Sequence, residues 1–327
     1  MMRAVVHRTA GGPEVLGVEQ RPAPMPGLGE IRVRVRATGL NRADILQRRG
    51  GYAAPPGWPA DIPGLEYAGE VESLGAGVTR WNIGDRVMGL VGGGAHAEFV
   101  VVHQDEAMPV PATLSWTEAA AVPEAFLTAW DALVTRGRLA SGERVLIHAV
   151  GSGVGTAAVQ LAKRLGATVL GTSRTAAKLE RCRALGLDQG IDTSAMSFRD
   201  QVSPPVDVVI DVLGGPAFAD NLAVLGLRGR LVMLGFLQGP KVETTLEPVL
   251  RKRLEIIGSV MRSRQLEERV ALVADFQANV LPWFEGPDPL RPVIGPVFPL
   301  EQIADAHRAM ESNEPFGKVV LDVRREK

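Results

Sequence analysis

Hydrophobic and polar residues alternate strictly in one early stretch of the chain. Residues 30–36 read Glu-Ile-Arg-Val-Arg-Val-Arg, so every second side chain is apolar. Since successive side chains of a strand point to opposite faces, this period predicts a half-buried β-strand. Turns rich in Gly and Pro separate it from further strands predicted at residues 67–74 and 85–89. The pattern up to about Glu124 therefore predicts a mainly β domain, folded as a compact, partly open barrel.

After Glu124, short apolar runs alternate with stretches of helical periodicity. Residues 154–165 carry apolar side chains three and four positions apart, and residues 176–185 behave similarly. Six strands are predicted, at residues 144–150, 168–172, 190–192, 206–212, 230–235 and 254–260. Because strands that alternate with crossover helices usually pair in parallel, this half is predicted to be α/β, with a doubly wound parallel sheet.

The tail of the chain adds a predicted helix at residues 300–310 and a strand at 318–323, both assigned to the first domain. The length of 327 residues also favours two domains, since a single hydrophobic core usually stops growing at about 250 to 300 residues. The predicted domains are residues 1–124 with 263–327, and residues 125–262.

Composition narrows the class of partner. With 36 basic and 37 acidic residues, the chain lacks the cationic surplus that nucleic acid or an anionic membrane surface would favour, so a small molecule is the expected ligand. Cys182 is the single cysteine, which excludes an intramolecular disulfide. Together with the absence of a signal peptide and of an apolar run of about 18 residues, this predicts a soluble cytoplasmic protein.

A glycine-dense turn joins the first predicted strand of the second domain to the following helix. Its residues are Gly151, Ser152, Gly153, Val154 and Gly155, in the order of strand, turn and helix start that dinucleotide binding requires. The glycines let the backbone approach a pyrophosphate, which the helix N-terminus stabilises, and Ser152 adds a hydroxyl donor. A glycine-rich connection without a ligand is the alternative, but the six predicted strands favour a cofactor site.

The end of the second predicted strand indicates which nucleotide is bound. NAD sites usually carry an acidic residue there, which accepts hydrogen bonds from the ribose hydroxyls. This chain instead has Ser173 and Arg174, followed by Lys178, and these donors suit the 2′-phosphate of NADPH. NADPH is thus predicted over NADH. The alternative is that Arg174 and Lys178 are ordinary solvated charges.

The chain does not carry the residues of a typical zinc site. Catalytic zinc needs three protein ligands, and structural zinc usually needs four, mostly cysteines. Besides Cys182, the candidates are five dispersed histidines without paired spacing, at positions 7, 96, 103, 148 and 307. Each is interpreted as a packed or surface residue, and Cys182 as an inert packed thiol. No metal is predicted.

Over essentially its whole length the sequence resembles the medium-chain dehydrogenase/reductase superfamily, and within it the zeta-crystallin-like quinone oxidoreductases. The resemblance rests on residues 11–16, 39–45, 63–71, 84–87, 119–130 and 148–161. Zinc alcohol dehydrogenases have a cysteine ligand near the position of Asn41, and Gly-His-Glu where this chain has Gly64, Leu65 and Glu66, so the zinc-free branch is implied. That branch also tolerates non-glycine residues early in the nucleotide motif, where this chain has Val150 and Ser152.

The resemblance implies a GroES-like, partly open β-barrel as catalytic domain and a Rossmann cofactor domain. It implies that Asn41, Tyr52 and Ser152 approach the nicotinamide or the substrate, and that Thr128 lies near the nicotinamide ribose. Further cofactor contacts are implied at Leu213, Leu234, Gly235, Phe236, Ser259, Val260 and Asn313.

Two features of relatives bear on cofactor preference and assembly. Many relatives place a tyrosine near the position of Thr193, beside the adenine phosphate, and its absence leaves Arg174 and Lys178 to carry the preference for NADPH. Family homodimers pair the edge strands of their cofactor domains, which implies a homodimer formed near residues 254–260.

Quinone reduction by NADPH places negative charge on a quinone oxygen, so hydrogen-bond donors are expected there. Asn41, Tyr52 and Ser152 are the candidates. As alternatives, Asn41 only shapes a turn, Asp44 caps a helix at residues 45–48, and Tyr52 lies on a flexible lid. No strong general acid is expected, because a quinone is already electrophilic and water can protonate its product. Transfer as a hydride and transfer as two single electrons both remain open.

Two other functions are consistent with the same residues. An NADPH-dependent reductase of activated C=C bonds, in enones or enoyl thioesters, would use the same fold and hydride geometry. A non-catalytic nucleotide-binding protein would bind NADPH and reduce no acceptor. The glycine-rich loop at residues 92–96 is interpreted either as the border of a cleft or as a hairpin connection.

Overall fold

The computed structural model describes residues 1–324, which form two compact units. One unit contains residues 1–127 and 261–324, and the other is Thr128–Val260. The limits predicted from the sequence lie close by, after residues 124 and 262. A helix spanning Pro123–Trp130 crosses the first boundary, so the change of pattern in the sequence marks the start of this helix and not the end of the unit.

Residues 1–130 form short strands, with one α-helix between the third and fourth strands and two α-helices after the seventh. The strands are β1 (Met2–His7), β2 (Leu16–Arg21), β3 (Glu30–Gly39), β4 (Glu66–Leu74), β5 (Arg86–Leu90), β6 (Phe99–His103) and β7 (Ala107–Pro109). The helices are α1 (Arg42–Arg48), α2 (Trp116–Ala119) and α3 (Pro123–Trp130).

Residues 131–260 begin with a π-helical segment, Asp131–Arg136, and then alternate strands with helices. The strands are β8 (Arg144–Ile147), β9 (Thr168–Ser173), β10 (Gln189–Asp192), β11 (Val206–Asp211), β12 (Leu225–Met233) and β13 (Glu255–Gly258). The helices are α4 (Gly153–Arg164), α5 (Ala176–Arg183), α6 (Gly215–Val224) and α7 (Glu247–Lys252). The tail adds α8 (Leu266–Asn279), β14 (Ile294–Pro299), α9 (Ile303–Glu311) and β15 (Lys318–Asp322).

The first unit is built on a mixed sheet of seven strands. They follow the order β14-β15-β3-β4-β5-β7, and β6 also pairs with β3. Because β15 pairs antiparallel with β3, the tail of the chain is part of this sheet. Ile31, Val33 and Val35 of β3 are buried, which confirms the alternating strand, and burying each such side chain contributes about 1.5 to 3 kcal/mol.

The second unit is a parallel sheet of six strands in the order β10-β9-β8-β11-β12-β13. The predicted α/β class and doubly wound sheet are confirmed. Buried residues of α4, among them Ala158 and Leu161, explain its helical apolar spacing. The strand order reverses between β8 and β11, and in such sheets ligands bind outside the carboxyl ends of the strands at that point.

The start of α1 differs from the prediction. The helix begins at Arg42 and not at residue 45, and Asn41 is its N-cap residue. Asp44 lies inside the helix and is not its N-cap residue, but it does take part in capping, because it completes a capping box with Asn41. Its carboxylate accepts hydrogen bonds from the Asn41 N–H at 2.7 Å and from the Gly64 N–H at 2.9 Å. Asp44 thus joins the helix start to the segment before β4.

Several strands of the second unit also have different limits from those predicted. β8 ends at Ile147 and not at residue 150. β12 begins at Leu225 and not at residue 230, since Gly226, Arg228 and Gly229 interrupt the apolar pattern without ending the strand. β13 is shorter than predicted and spans Glu255–Gly258.

Candidate active site

The glycine-rich turn follows the carboxyl end of β8 and leads into α4. Ser152 is the N-cap of this helix, and its Oγ accepts a hydrogen bond from the Gly155 N–H at 3.0 Å. A Cβ on Gly155 would lie 2.6 Å from the carbonyl oxygens of Ala149 and Val150, so the close packing of helix and turn requires glycine there. First-turn N–H groups lack intrahelical acceptors, and the helix dipole places partial positive charge beside them. The turn fits a pyrophosphate.

Ser173 ends β9, and Arg174 follows it into the loop. The Ser173 Oγ accepts a hydrogen bond from the Thr175 N–H at 3.1 Å, so its hydroxyl proton can still be donated. Arg174 is exposed and has no ion-pair partner within residues 1–324. Lys178 lies half-buried in the first turn of α5. The end of β9 therefore offers donors to an anionic group.

Asp192, at the end of β10, is a neighbour that the sequence analysis missed. It pairs with Ser173 in the parallel sheet, where adjacent strands lie about 4.8 Å apart. Its carboxylate accepts a hydrogen bond from the Ser194 N–H at 2.8 Å, and this contact holds the pKa of the carboxyl below its usual value. A carboxylate beside Ser173 can accept hydrogen bonds from hydroxyls and would repel an anionic group, whereas the Arg174 guanidinium would attract one.

Leu213 and residues 234–236 follow the next two strands on the same edge of the sheet. The buried Asp211 carboxylate accepts a hydrogen bond from the Leu213 N–H at 2.7 Å. The Asp211 carbonyl oxygen accepts from the Leu234 N–H, also at 2.7 Å. The loops after β11 and β12 are therefore fixed to the same residue, while the Phe236 side chain at this edge is 54% exposed.

His148 forms a buried network directly before the glycine-rich turn. Its Nδ1 lies 2.9 Å from Thr172 Oγ1, and its Nε2 lies 2.7 Å from Asn221 Oδ1. Since the Asn221 oxygen can only accept, Nε2 carries the proton and Nδ1 accepts from the Thr172 hydroxyl. Burial lowers the pKa of His148 against the opposing charge of Asp211, so the ring is neutral at pH 7. The network ties the ends of β8 and β9 to α6.

Ser259, after β13, contacts a buried carboxylate that the sequence analysis did not identify. Its Oγ donates a hydrogen bond to Asp131 Oδ2 at 2.7 Å. Asp131 begins the π-helical segment, and Thr128 lies in the preceding turn of α3, where it is 9% exposed. Val260 is half exposed.

In the first unit, Asn41 contacts a buried ion pair. Its Oδ1 accepts a hydrogen bond from Lys318 Nζ at 2.7 Å, and its Nδ2 donates to Glu66 Oε1 at 2.9 Å. Lys318 Nζ also forms an ion pair with Glu66 Oε1, and the two side chains are 5% and 0% exposed. Glu66 begins β4 and Lys318 begins β15, so residues from distant parts of the chain build this cluster.

Tyr52 lies against Arg262 in the same unit. The guanidinium donates hydrogen bonds to the Tyr52 carbonyl oxygen at 3.1 Å and to the Gly92 carbonyl oxygen at 2.7 Å. Burial raises the pKa of Tyr52, with Glu124 acting in the same direction and Arg262 against it, so the hydroxyl stays protonated near neutral pH. The loop at residues 92–96 is thus held to the Tyr52 segment.

Asn313 follows α9 in the left-handed region, with φ of 59°. Its Oδ1 accepts a hydrogen bond from Arg42 Nη2 at 2.6 Å, which joins the tail to the first residue of α1. No hydrogen bond joins Asn41 to Tyr52 within residues 1–324. The first unit therefore places these three predicted residues in three separate contacts, each with a charged partner.

Comparison with known proteins relates the chain to one family over its full length. Residues 27–112 match the alcohol dehydrogenase GroES-like domain, and residues 153–277 match the zinc-binding dehydrogenase domain. Quinone oxidoreductase of Mus musculus is 33% identical, over 98% of this chain and 98% of that protein. The synaptic vesicle membrane protein VAT-1 homolog of Homo sapiens is 34% identical, over 98% of this chain and 86% of that protein.

The chain belongs to the medium-chain dehydrogenase/reductase superfamily. Solved structures of this superfamily share its fold. An NAD-dependent alcohol dehydrogenase has a TM-score of 0.84 at 34% identity, covering 99% of this chain and 100% of that one. A mycobacterial protein in complex with NADPH has a TM-score of 0.88 at 29% identity, covering 98% and 99%. The CurK enoyl reductase has a TM-score of 0.85 at 28% identity, covering 98% and 99%.

Membership in the medium-chain dehydrogenase/reductase superfamily confirms the GroES-like domain and the Rossmann-like cofactor domain expected from the sequence. It also makes the chain an oxidoreductase with a nucleotide-binding domain.

Burial raises the pKa of the Cys182 thiol to about 11, so this side chain has the character of a packed thiol.

Among residues 1–324, no three His, Cys, Asp or Glu side chains are grouped so that they could hold a metal ion. None of the helices in this range combines the length and the apolar character that a membrane crossing demands.

Proposed function

We propose that the chain is an NADPH-dependent quinone oxidoreductase that works without zinc. The observation that carries the proposal is the carboxyl edge of the parallel sheet, in a chain related over its full length to a quinone oxidoreductase. There, the glycine-rich turn offers N–H donors to a pyrophosphate, and Arg174 is free to pair with a 2′-phosphate. NADPH bound at this edge would supply a hydride, which carries two electrons.

The cluster around Asn41 supports a reaction without zinc. Asn41 and Leu65 stand where zinc-dependent relatives are expected to have ligands. In addition, the buried Lys318 ammonium lies 2.7 Å from Asn41 Oδ1, and a divalent cation at the same amide would be repelled by it. The positive charge beside Asn41 is therefore that of the Lys318 ammonium.

Quinone reduction requires only hydrogen-bond donors from the side chains of the protein. A quinone that accepts a hydride and one proton from water becomes a hydroquinone, and the only group that needs stabilisation is the oxygen on which charge develops. Tyr52 keeps its hydroxyl proton because burial raises its pKa, so it can donate a hydrogen bond to that oxygen. Asn41 and Ser152 are the other proposed donors, since each retains a proton that the contacts described above do not use.

NADPH oxidation by chelator-treated protein tests the proposal. We expect turnover with 1,4-naphthoquinone and 9,10-phenanthrenequinone, with kcat/KM at least about tenfold above that for a simple enone or a crotonyl thioester, a difference of about 1.4 kcal/mol in activation free energy. Added zinc should not increase the rate. Turnover that chelation abolishes and zinc restores would overturn the zinc-free assignment. Tight NADPH binding with no acceptor reduced would instead indicate a non-catalytic nucleotide-binding protein.

Reduction of activated C=C bonds is a second candidate function. The similarity to the CurK enoyl reductase, with a TM-score of 0.85, supports it. The same acceptor panel separates the two candidates, because an enoyl reductase would turn over the enone or the thioester faster than either quinone.

We also propose that the protein is a homodimer. β13 is an edge strand of the six-stranded sheet, so one side of it presents unpaired backbone groups. Leu246 and Leu250 of the neighbouring segment are 68% and 81% exposed, and Ile256 of β13 is 39% exposed. An open strand edge beside exposed apolar side chains favours pairing with a second copy of the chain.

A further inference from the structure

The carboxamide of Asn41 is held between two buried groups of opposite charge. The Lys318 ammonium donates to its oxygen at 2.7 Å, and its nitrogen donates to the Glu66 carboxylate at 2.9 Å. A flipped amide would place N–H groups against the ammonium and oxygen against the carboxylate, so neither contact could form. Since hydrogen bonds to charged groups are about twice as strong as neutral ones, the ion pair imposes a single orientation on Asn41.

The ion pair is itself fixed by its surroundings. The second carboxylate oxygen of Glu66 accepts a hydrogen bond from the Glu124 N–H at 2.8 Å, and Lys318 Nζ also donates to the Leu40 carbonyl oxygen at 3.2 Å. A Cβ on Gly39 would lie 2.1 Å from Glu66 Oε1, so the carboxylate fills the space beside this glycine. Neither charged side chain can turn away from Asn41 without breaking several contacts.

We propose that Lys318 and Glu66 are positioning residues that present Asn41 to the acceptor purely as a hydrogen-bond donor. One N–H of the amide is bound to Glu66, and the other has no partner within residues 1–324. The amide oxygen is occupied by Lys318, so it is withheld from ligands. This inference rests on the proposed function.

The Asn41 amide, which donates hydrogen bonds but offers no accessible acceptor oxygen, distinguishes a quinone from a hydroquinone. A quinone oxygen accepts hydrogen bonds only, whereas a hydroquinone hydroxyl also has a proton to donate. Asn41 held in this orientation binds a carbonyl oxygen and gives no acceptor to the hydroxyl proton of the product. The ion pair therefore favours binding of the oxidised form and release of the reduced form.

Removal of both charges tests the proposal. Lys318→Met alone leaves the Glu66 carboxylate buried and unpaired, so the double variant Glu66→Gln/Lys318→Met is preferred, in which glutamine keeps an oxygen for the Glu124 N–H. We expect its kcat/KM for naphthoquinone to fall about 10- to 100-fold, the scale for loss of one transition-state donor. Asn41→Ala should cost the same factor in the native background and almost nothing in the double variant. NADPH affinity, followed by fluorescence, should not change.

A matched control uses the Arg32–Glu72 ion pair, which joins β3 to β4 with Nη2 2.6 Å from Oε2 and does not contact Asn41. Arg32→Met/Glu72→Gln should leave kcat/KM unchanged. An active native protein whose Asn41→Ala penalty is equal in both backgrounds would overturn the positioning role. In the native protein the dissociation constant of the hydroquinone should be larger than that of the quinone. In the Glu66→Gln/Lys318→Met variant the ratio of these two constants should fall about tenfold towards one, because a lost discriminating contact is worth roughly this factor.

A measurement without turnover separates this inference from the proposed function. The Asn41 side-chain NH₂ signals are assigned in a nitrogen-15 NMR spectrum by their loss in Asn41→Ala. In the native protein the separation between the two proton shifts should exceed that of solvent-exposed asparagine side chains, because only one Asn41 proton is bonded to a carboxylate. A separation no larger than that of exposed asparagines would overturn the orientation argument, even if the double variant fails to fold. Failure of every quinone and enone as acceptor would overturn the proposed function and leave this spectrum as the test of the ion pair.

Discussion

The guanidinium of Arg262 stacks on the ring of Tyr52, with Cζ 4.9 Å from the ring centroid. The same group donates hydrogen bonds to Gln47 Oε1 at 2.7 Å and to the carbonyl oxygens of Tyr52 and Gly92. Arg262 is only 8% exposed. One buried cation therefore holds the end of α1, the segment of Tyr52 and the loop at residues 92–96 together, so Tyr52 is anchored at its backbone as well as at its ring.

Arg262→Lys should lower kcat/KM for quinones about tenfold, because small displacements of a positioned group cost one to two orders of magnitude in rate. Lysine keeps the charge but lacks the planar fork that reaches three acceptors and stacks on the ring. Steady-state kinetics with NADPH and naphthoquinone measure the effect, and NADPH affinity should be unchanged. Arg8→Lys is the control, since the Arg8 side chain is 76% exposed in the same unit. Full activity of Arg262→Lys would contradict the anchoring role of this residue.

Elements that depend on local periodicity could be predicted from the sequence. β3 follows from alternation at residues 30–36, and the glycine-rich turn follows from a strand, a turn and a helix in sequence. The Glu66–Lys318 pair could not be predicted, because its members are 252 positions apart and a single Lys or Glu has no local pattern. Arg262 and Tyr52 present the same difficulty, as they are 210 positions apart.

Asp192 illustrates a different limit of sequence reasoning. An acidic residue at a strand end does not indicate a function by itself, because its role depends on which strand lies beside it. Only the pairing of β10 with β9 places Asp192 next to Ser173. Arg174 and Lys178 are visible in the sequence without this opposing charge, so only part of the electrostatics at the end of β9 could be predicted.

Arg174→Ala should raise the KM for NADPH about 10- to 100-fold and leave the KM for NADH nearly unchanged, since a charged hydrogen bond to phosphate contributes about 1.5 to 3 kcal/mol. Asp192→Asn should act in the opposite direction and lower the KM for NADPH, because it removes a negative charge from the same edge. Kinetics with both nucleotides measure these shifts. Arg183→Ala, in the last turn of α5, is the control. Equal changes for NADPH and NADH would contradict the phosphate assignment.

Stability should decrease as the pH falls below about 6.5, in part because of His307. Burial lowers the pKa of this histidine to about 2, with His96 and the buried Arg48 acting in the same direction. The unfolded chain binds a proton at His307 below its ordinary pKa of about 6.5, whereas the folded chain does not until about pH 2. The contribution of His307 to the free energy of unfolding is therefore complete above pH 6.5. As the pH falls from 6.5 to 2, this contribution decreases by about 1.4 kcal/mol per pH unit.

His307→Gln tests this linkage by removing the titrating ring while keeping an oxygen for Arg48, whose Nη1 lies 3.2 Å from His307 Nδ1. The slope of unfolding free energy against pH, measured by urea denaturation between pH 5 and 6.5, should become shallower by about 1 kcal/mol per unit, because the unfolded histidine is only partly protonated near pH 6.5. Ile303→Val, also in α9, should instead lower stability by a constant 0.5 to 1.5 kcal/mol, roughly, at every pH. An unchanged slope in His307→Gln would show that the histidine does not contribute to the acid sensitivity.

Ile256→Lys should convert the proposed homodimer into a monomer. Ile256 lies on β13, the open edge of the parallel sheet, and a charged side chain on such an edge opposes pairing with another strand. Light scattering after size exclusion should give twice 34.9 kDa for the native chain and 34.9 kDa for the variant. Leu227→Lys is the control, because Leu227 is more exposed, at 62%, but lies on β12 and not on the edge strand. If the Leu227→Lys control dissociates as readily as Ile256→Lys, added charge alone explains the effect. A mass of 34.9 kDa for the native protein would refute the dimer directly.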